Sequence, residues 1–255
     1  MLLTRRDTLK LSAGLAGASL LPPPARAQEG GDRYPIEGGE IVVQPIRHAS
    51  LVLTVPGMVI YADPVGGAAL YEGLPRPNLV LLTHEHGDHF DPATLAALVA
   101  ADTRLVTNPA VHDKLPEDLK ARATPLANGE TTTVGEVDIE AVPAYNTTGD
   151  RTKYHPKGRD NGYVLTLGGG GRVYIAGDTE DTPEMRALSD ILVAFVPMNL
   201  PFTMSPEQAA QGVAAFAPDY VYPYHYKGSD PQVFADALAR AGAKTKVVLG
   251  RWYAG

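Results

Sequence analysis

The stretch Leu81–Asp91 reads LLTHEHGDHFD, and three of the chain's seven histidines fall between His84 and His89, interleaved with Glu85 and Asp88. Imidazole and carboxylate are the donors that suit zinc, iron and manganese. His84 and His86 are two apart, so in extended backbone they share a face. Asp88 and His89 follow Gly87, a residue free to take angles closed to others. The stretch offers up to four ligands, enough to divide between two ions. The chain has no cysteine, so thiolate sites, disulfides and cysteine nucleophiles are excluded.

Ligands so close in sequence need a rigid support. Asn78–Thr83 (NLVLLT) is a continuous apolar run, the pattern of a strand buried on both faces. It delivers His84 at its end. Asp91-Pro92 is an N-cap and first-turn pair for a helix over Ala93–Ala100. Around this unit, Ile41–Ile46, Leu51–Val55 and Met58–Tyr61 read as consecutive strands. Thr103–Thr107 reads as a strand and Pro109–Lys120 as one helix. Glu130–Val142 predicts a hairpin turning at Gly135-Glu136. Gly162–Leu167 and Arg172–Ala176 predict another around Gly168–Gly171. Those glycines precede no helix, which argues against a phosphate-cradling loop. Ile191–Val196, Asp219–Tyr222 and Lys246–Leu249 complete the strands. Ser205-Pro206-Glu207-Gln208 is a capping box opening a helix to about Ala217, and Asp230–Ala241 is a further helix. Strand-rich hairpins, with strands and helices alternating around them, point to an α/β sandwich.

Two later segments also end strands with metal-binding residue types. Val173–Thr179 (VYIAGDT) ends in Gly177-Asp178-Thr179, and Tyr222-Pro223-Tyr224 ends in His225. Taken with His-x-His-x-Asp-His, this order resembles the metallo-β-lactamase superfamily from about Ile41 to Leu249. His48-Ala49-Ser50, Asp63-Pro64, the Gly-Asp-Thr spelling and the Ser-Pro-Glu-Gln-Ala-Ala helix resemble the branch of ascorbate-phosphate lactonases and N-acylphosphatidylethanolamine phospholipases. The resemblance implies a four-layer αβ/βα sandwich, two mixed sheets flanked by helices, with the site at one edge. It implies that His84 and His86 bind one ion, that Asp88, His89 and His225 bind a second, and that Asp178 bridges them. The implied cofactor is two divalent ions, zinc first, with manganese or iron as alternatives.

One position departs from that pattern. Where the family supplies a third histidine to the first ion, this chain has Asn146, within Val142-Pro143-Ala144-Tyr145-Asn146. Three outcomes follow: Asn146 binds a hard ion, His155 swings in, or the first site stays weak. His155 lies in the polar loop TTGDRTKYHPKGRDNG, and loops over a rigid scaffold commonly carry substrate contacts. The reading favoured here is His155 as a substrate-contacting or supporting catalytic residue. His48 and Asp63 are read as support near the site. His112, on a surface helix, has no assigned role.

Two ions about 3.5–4 Å apart share a water and lower its pKa toward neutrality. The expected function is therefore hydrolysis of an ester, lactone or phosphodiester-type bond by metal-bound hydroxide. Asp178 holds the ions together, and Asp88 orients the nucleophile or takes a proton. No Gly-x-Ser-x-Gly motif is present. The alternative is a non-catalytic or mononuclear metal-binding protein on the same fold.

Composition bounds the rest. The chain has 255 residues and a net charge of −7, which excludes a basic nucleic-acid footprint. Arg5-Arg6 precede the apolar Leu11–Leu21, followed by Pro22–Pro24 and Ala25-Arg26-Ala27. That is a signal peptide in three parts. Leu11–Leu21 is shorter than the roughly 20 residues a membrane span requires. Thr4–Lys10 is similar to the twin-arginine export signal, with Thr8 in place of its usual Phe. Residues 1–27 are thus an expected export signal to the periplasm. Residues 28–39 are an expected flexible leader, and 40–255 a single hydrolase domain. Losing residues 1–27 removes four basic residues and one acid, which takes the charge to −10. The acidic mature protein gives no reason to bind anionic lipid, and the expectation is a small-molecule substrate and no stable membrane anchor after signal removal. Nothing in the sequence sets an oligomeric state.

Overall fold

The computed structural model of the protein describes residues 30–253; the expected signal peptide lies outside the described residues. Fourteen strands form two seven-stranded sheets. The first contains β1 (Asp32–Ile36), β2 (Gly39–Arg47), β3 (Ser50–Val55), β4 (Met58–Ala62), β5 (Leu79–Leu82), β6 (Arg104–Thr107) and β7 (Ala123–Pro125), in that order across the sheet. The second contains β8 (Thr131–Val134), β9 (Val137–Ala144), β10 (Asp160–Leu167), β11 (Arg172–Ile175), β12 (Val193–Pro197), β13 (Tyr220–Tyr224) and β14 (Lys246–Val247). Both sheets are mixed and built alike. Four antiparallel strands are followed by three added in parallel, from β4 to β7 and from β11 to β14.

Side-chain alternation explains the layering. In β5, Leu79 and Leu81 face the core between the sheets, while Val80 and Leu82 face outward under helices. In β12, Val193 and Phe195 face inward, and Ala194 and Val196 face the other helical layer. The inner parallel strands β5 and β12 are buried on both faces, hence their unbroken apolar runs. The outer layer over the first sheet holds α1 (Pro92–Leu98), α2 (Pro109–Lys114) and α3 (Glu117–Lys120). Over the second lie α4 (Pro183–Arg186), α5 (Pro206–Phe216) and α6 (Pro231–Arg240). This is the expected α/β four-layer αβ/βα sandwich. Among the described residues, no helix is long and apolar enough to cross a membrane.

Two expectations need correction. The leader expected over 28–39 contains β1, an edge strand paired along its length with β2. Tyr34 anchors it: buried in the inter-sheet core, its ring sits 4.6 Å from Tyr220. Two inward residues, Tyr34 and Ile36, between charged residues and glycines left too short a pattern to read as a strand. The single helix expected over Pro109–Lys120 is two, because Pro116 forces Leu115 into extended backbone (ψ 144°).

Candidate metal centre

Every candidate ligand sits at one edge of the sandwich, and most follow the carboxyl ends of parallel strands. Asp63 follows β4, His84 follows β5, Asp178 follows β11 and His225 follows β13. His48 lies in the β2–β3 turn, and His155 in the β9–β10 connection. Local chemistry holds the His-rich loop after β5. The His86 carbonyl accepts from the N–H groups of His89 (2.9 Å) and Phe90 (2.8 Å). Asp91 then caps α1, accepting from Ala93 N (3.0 Å) and Thr94 N (3.3 Å). Gly87 is not conformationally required, since its φ is not positive and a Cβ there would meet open space. Gly177 is required. Its φ is 65°, and a Cβ would lie 2.7 Å from the Asn161 carbonyl oxygen. The glycine lets β11 pass close to the first sheet and deliver Asp178.

Asp178 is the hub. Its carboxylate lies 3.2 Å from His89 Nε2, 3.3 Å from His225 Nε2, 3.4 Å from His155 Nε2 and 3.9 Å from His84 Nε2. It is 2% exposed. Burial alone would raise its pKa, but the surrounding His225, His89 and His155 hold it well below the carboxylate range.

Three of the imidazoles, His84, His89 and His155, are oriented from behind. Asp63 is fully buried, takes a positive φ (44°) and accepts three hydrogen bonds. These come from Thr83 N (2.8 Å), Thr83 Oγ1 (2.6 Å) and His89 Nδ1 (2.7 Å). With Nδ1 donating to Asp63, the His89 Nε2 turns toward Asp178. Thr83 Oγ1 gives its proton to Asp63, so it accepts from His84 Nδ1 (3.0 Å), and His84 Nε2 keeps a free lone pair. Asp160 accepts from His155 Nδ1 (2.9 Å) and is itself held by Arg159 Nε (2.7 Å). A carboxylate or carbonyl behind the ring is the usual way a protein fixes a metal-binding tautomer.

The pKa directions divide the histidines. Burial, together with neighbouring histidines, lowers His84 well below the ordinary value, and burial lowers His86. Burial also opposes charge on His89, yet Asp178 and Asp63 raise it well above the ordinary value. Burial opposes charge on His155 too, but hydrogen bonds to Asp160 and Asp178 raise it.

The groups form three clusters, each with ligand atoms within 4.8 Å of one another: His84–His86–His155 and His84–His89–Asp178, which share His84, and His48–Asp88–His225. All six expected ligands are therefore brought together. The grouping differs from expectation in two respects. His155 joins His84 and His86, in the place of the missing third histidine, rather than standing back toward substrate. Asp88 and His225 share a cluster with His48 rather than with His89. Asn146 builds the loop that carries His155. Its Nδ2 donates to the carbonyls of Arg151 (3.0 Å) and Phe202 (2.7 Å), and its N–H to that of His155 (2.9 Å).

The donor set fits metal ions. His84 Nε2, His89 Nε2, both His225 nitrogens and Asp178 Oδ1 are buried without a well-formed hydrogen bond. Buried polar atoms are almost always paired. Unpaired donors converging on one carboxylate are what a cation would satisfy.

The cluster floors a cavity of about 780 Å³. Tyr154, Phe202 and Tyr253 wall it, and Arg47 and Lys227 stand at its margin. Tyr154 and Phe202 pack edge to face at 5.0 Å. The sequence marks the loop that carries Tyr154 and Asp160 without singling out either residue, and Arg47, Lys227 and Tyr253 come from segments without a motif that only folding brings to the site.

Comparison with known proteins accords with this geometry. Residues 43–225 match the family described as the beta-lactamase superfamily domain. The chain is 31% identical over 215 residues to a UPF0173 metal-dependent hydrolase of Anaeromyxobacter sp. (strain K), covering 76% of this chain and 77% of that one. It is 34% identical over 182 residues to a UPF0173 metal-dependent hydrolase of Pyrococcus furiosus, covering 68% and 77%. A solved structure from Parabacteroides distasonis, proposed to be a metal-dependent hydrolase, superposes with a TM-score of 0.79 at 42% identity, over 87% of this chain and 98% of that one.

Proposed function

The chain belongs to the metallo-β-lactamase superfamily, among the UPF0173 metal-dependent hydrolases, and from that premise we propose that it hydrolyses an ester, lactone or phosphodiester-type bond with two bound divalent ions, zinc foremost. We place it with the ascorbate-phosphate lactonase and N-acylphosphatidylethanolamine phospholipase branch on its His48-Ala49-Ser50, Asp63-Pro64 and Gly-Asp-Thr segments. The observation that carries the reading is Asp178, with the Nε2 atoms of four histidines within 3.9 Å of its carboxylate.

His84, His86 and His155 would hold one ion and Asp88 and His225 the other, with Asp178 and His89 between the two. Bound there, the ions would supply an activated water and polarise the scissile oxygen. The chain's own groups do the remaining work. Asp63, Thr83 and Asp160 keep the Nε2 lone pairs aimed inward. Asp88, with its side chain 51% exposed to the cavity, is the carboxylate placed to accept a proton at the bond being cleaved. Against burial, hydrogen bonds from His225 and His48 hold it ionised. Tyr154 and Phe202 offer an aromatic wall to the substrate.

The test is metal analysis of the purified protein, with turnover measured on a panel of esters, lactones and phosphodiesters in zinc, manganese and iron. About two equivalents with metal-dependent turnover are expected. Tight metal binding without turnover across the panel would favour the non-catalytic alternative instead.

Export to the periplasm through Arg5-Arg6, with cleavage after Ala27, is part of the same proposal. Replacing both arginines by lysine should retain the protein in the cytoplasm; export unaffected by that change would refute the twin-arginine route.

A further inference from the structure

His48 is the least expected member of the site. In a fold whose two halves share one strand order, the β2–β3 turn that carries it corresponds to the β9–β10 connection that carries His155. Its φ is 55°, unusual for a residue other than glycine. Its backbone is held on both sides. The N–H donates to the Trp252 carbonyl (3.2 Å), and the carbonyl accepts from His225 N–H (3.0 Å). Its ring lies on that of His225, with centroids 3.8 Å apart.

Both ring nitrogens are engaged. Nε2 lies 3.2 Å from Asp88 Oδ2, and Nδ1 lies 2.7 Å from the Tyr253 hydroxyl. The proton positions follow from donor chemistry. An ionised carboxylate only accepts, so Nε2 carries the hydrogen. Nδ1 then accepts, and Tyr253 donates to it. The Tyr253 oxygen in turn accepts from Lys227 N–H (3.1 Å). A directed chain runs from Lys227 N–H through Tyr253 and His48 to Asp88.

Asp88 needs such a chain. Its side chain is half exposed; its hydrogen-bond partner is His48, and His225 Nε2 lies 3.4 Å away. Free to rotate, it would be a poor donor to any ion beside His225.

We propose that Tyr253 and His48 are positioning residues that fix the Asp88 carboxylate beside His225, so that the Tyr253 hydroxyl sets how tightly the second ion is held. This rests on the reading above that Asp88 and His225 bind an ion. His48 reaches that ion only through Asp88, and Tyr253 only through His48.

The experiment titrates zinc into the full-length metal-free protein and its Tyr253→Phe and His48→Asn variants. Asparagine tolerates the positive φ at position 48. Tyr226→Phe is the control, because Tyr226 packs on the Tyr253 ring (4.8 Å) and stands outside the ligand clusters. Both test variants should keep one zinc at wild-type affinity and bind the second about 10–100-fold more weakly. The cobalt-substituted variants should lose one of two visible-band components, while the control matches wild type. Thermal unfolding of the metal-free forms should be unchanged, which separates positioning from a general loss of structure. Wild-type binding of two ions with an unchanged second affinity in Tyr253→Phe overturns this inference alone. So does equal loss of both ions, or equal weakening in Tyr226→Phe. His48→Asn losing the ion while Tyr253→Phe keeps it would make His48 a ligand, which also overturns it. Absence of metal binding by the wild type overturns the proposed function together with it.

Discussion

His155 places its Nε2 3.4 Å from Asp178 Oδ2, the carboxylate oxygen that His84 and His225 also face. That contact turns a loop histidine into the third imidazole of the His84–His86 cluster. His155→Ala should therefore weaken binding of the first ion by more than the roughly 10–100-fold that losing a supporting residue costs. Asn146→Ala should change zinc affinity far less, acting only through the loop it braces. Zinc titration monitored by elemental analysis separates the two. Equal losses would return Asn146 to the ligand set, and a raised KM with unchanged metal content in His155→Ala would return His155 to the substrate.

Asp178→Asn replaces a central carboxylate by a neutral amide of the same shape. Hydrolysis should fall at least about 10²-fold, and metal content should drop below two per chain, with the fold intact by circular dichroism. Unchanged turnover would remove Asp178 from the bridging role.

Asp63→Asn tests support rather than ligation. The amide can accept from Thr83 N–H but presents an NH₂ group to His89 Nδ1–H, where a carboxylate accepted. Metal affinity should fall about 10–100-fold. The metal-free protein should lose about 1–3 kcal/mol in urea, as buried donors at Thr83 and His89 lose their acceptor. A variant equal to wild type in both measurements would show that Asp63 does not orient His89.

Zinc binding should release protons. In the metal-free protein the pKa values of His89 and His155 are raised, so each keeps its proton to higher pH than a free imidazole, and an ion must displace it. Those of His84 and His86 are lowered, so neither competes. Because the raised groups titrate above the ordinary value of about 6.5, affinity should already fall as pH drops from about 8 to 6. Calorimetry in two buffers of different ionisation heat counts the protons, and a net release at pH 7 is expected. No release and a flat affinity would contradict the charge states assigned to His89 and His155.

Much of this protein is legible along the chain. His84, His86, Asp88 and His89 lie within one turn of chain after an apolar run, and the strand endings at Asp178 and His225 carry their own signals. What was not legible is pairing at long range. Tyr253 meets His48 across 205 positions, and Tyr34 meets Tyr220 across 186, between segments that are individually bland. Asp160 behind His155 is only five positions away in sequence, yet nothing in the sequence distinguishes it from its polar neighbours until the ring turns toward Asp178.

The sequence by itself determined the donor chemistry and the scaffold class. Ligand type is a property of side chains, and strands buried on both faces announce themselves as apolar runs. Only the tertiary structure decided which histidines stand together. Packing two sheets face to face brings the ends of β5, β11 and β13 and two loops to one edge of the sandwich. Whether the loop position of Asn146 or of His155 faces Asp178 depends on backbone direction and on hydrogen bonds formed after that packing, to Arg151, Phe202 and Asp160. Local propensity carries no record of those contacts.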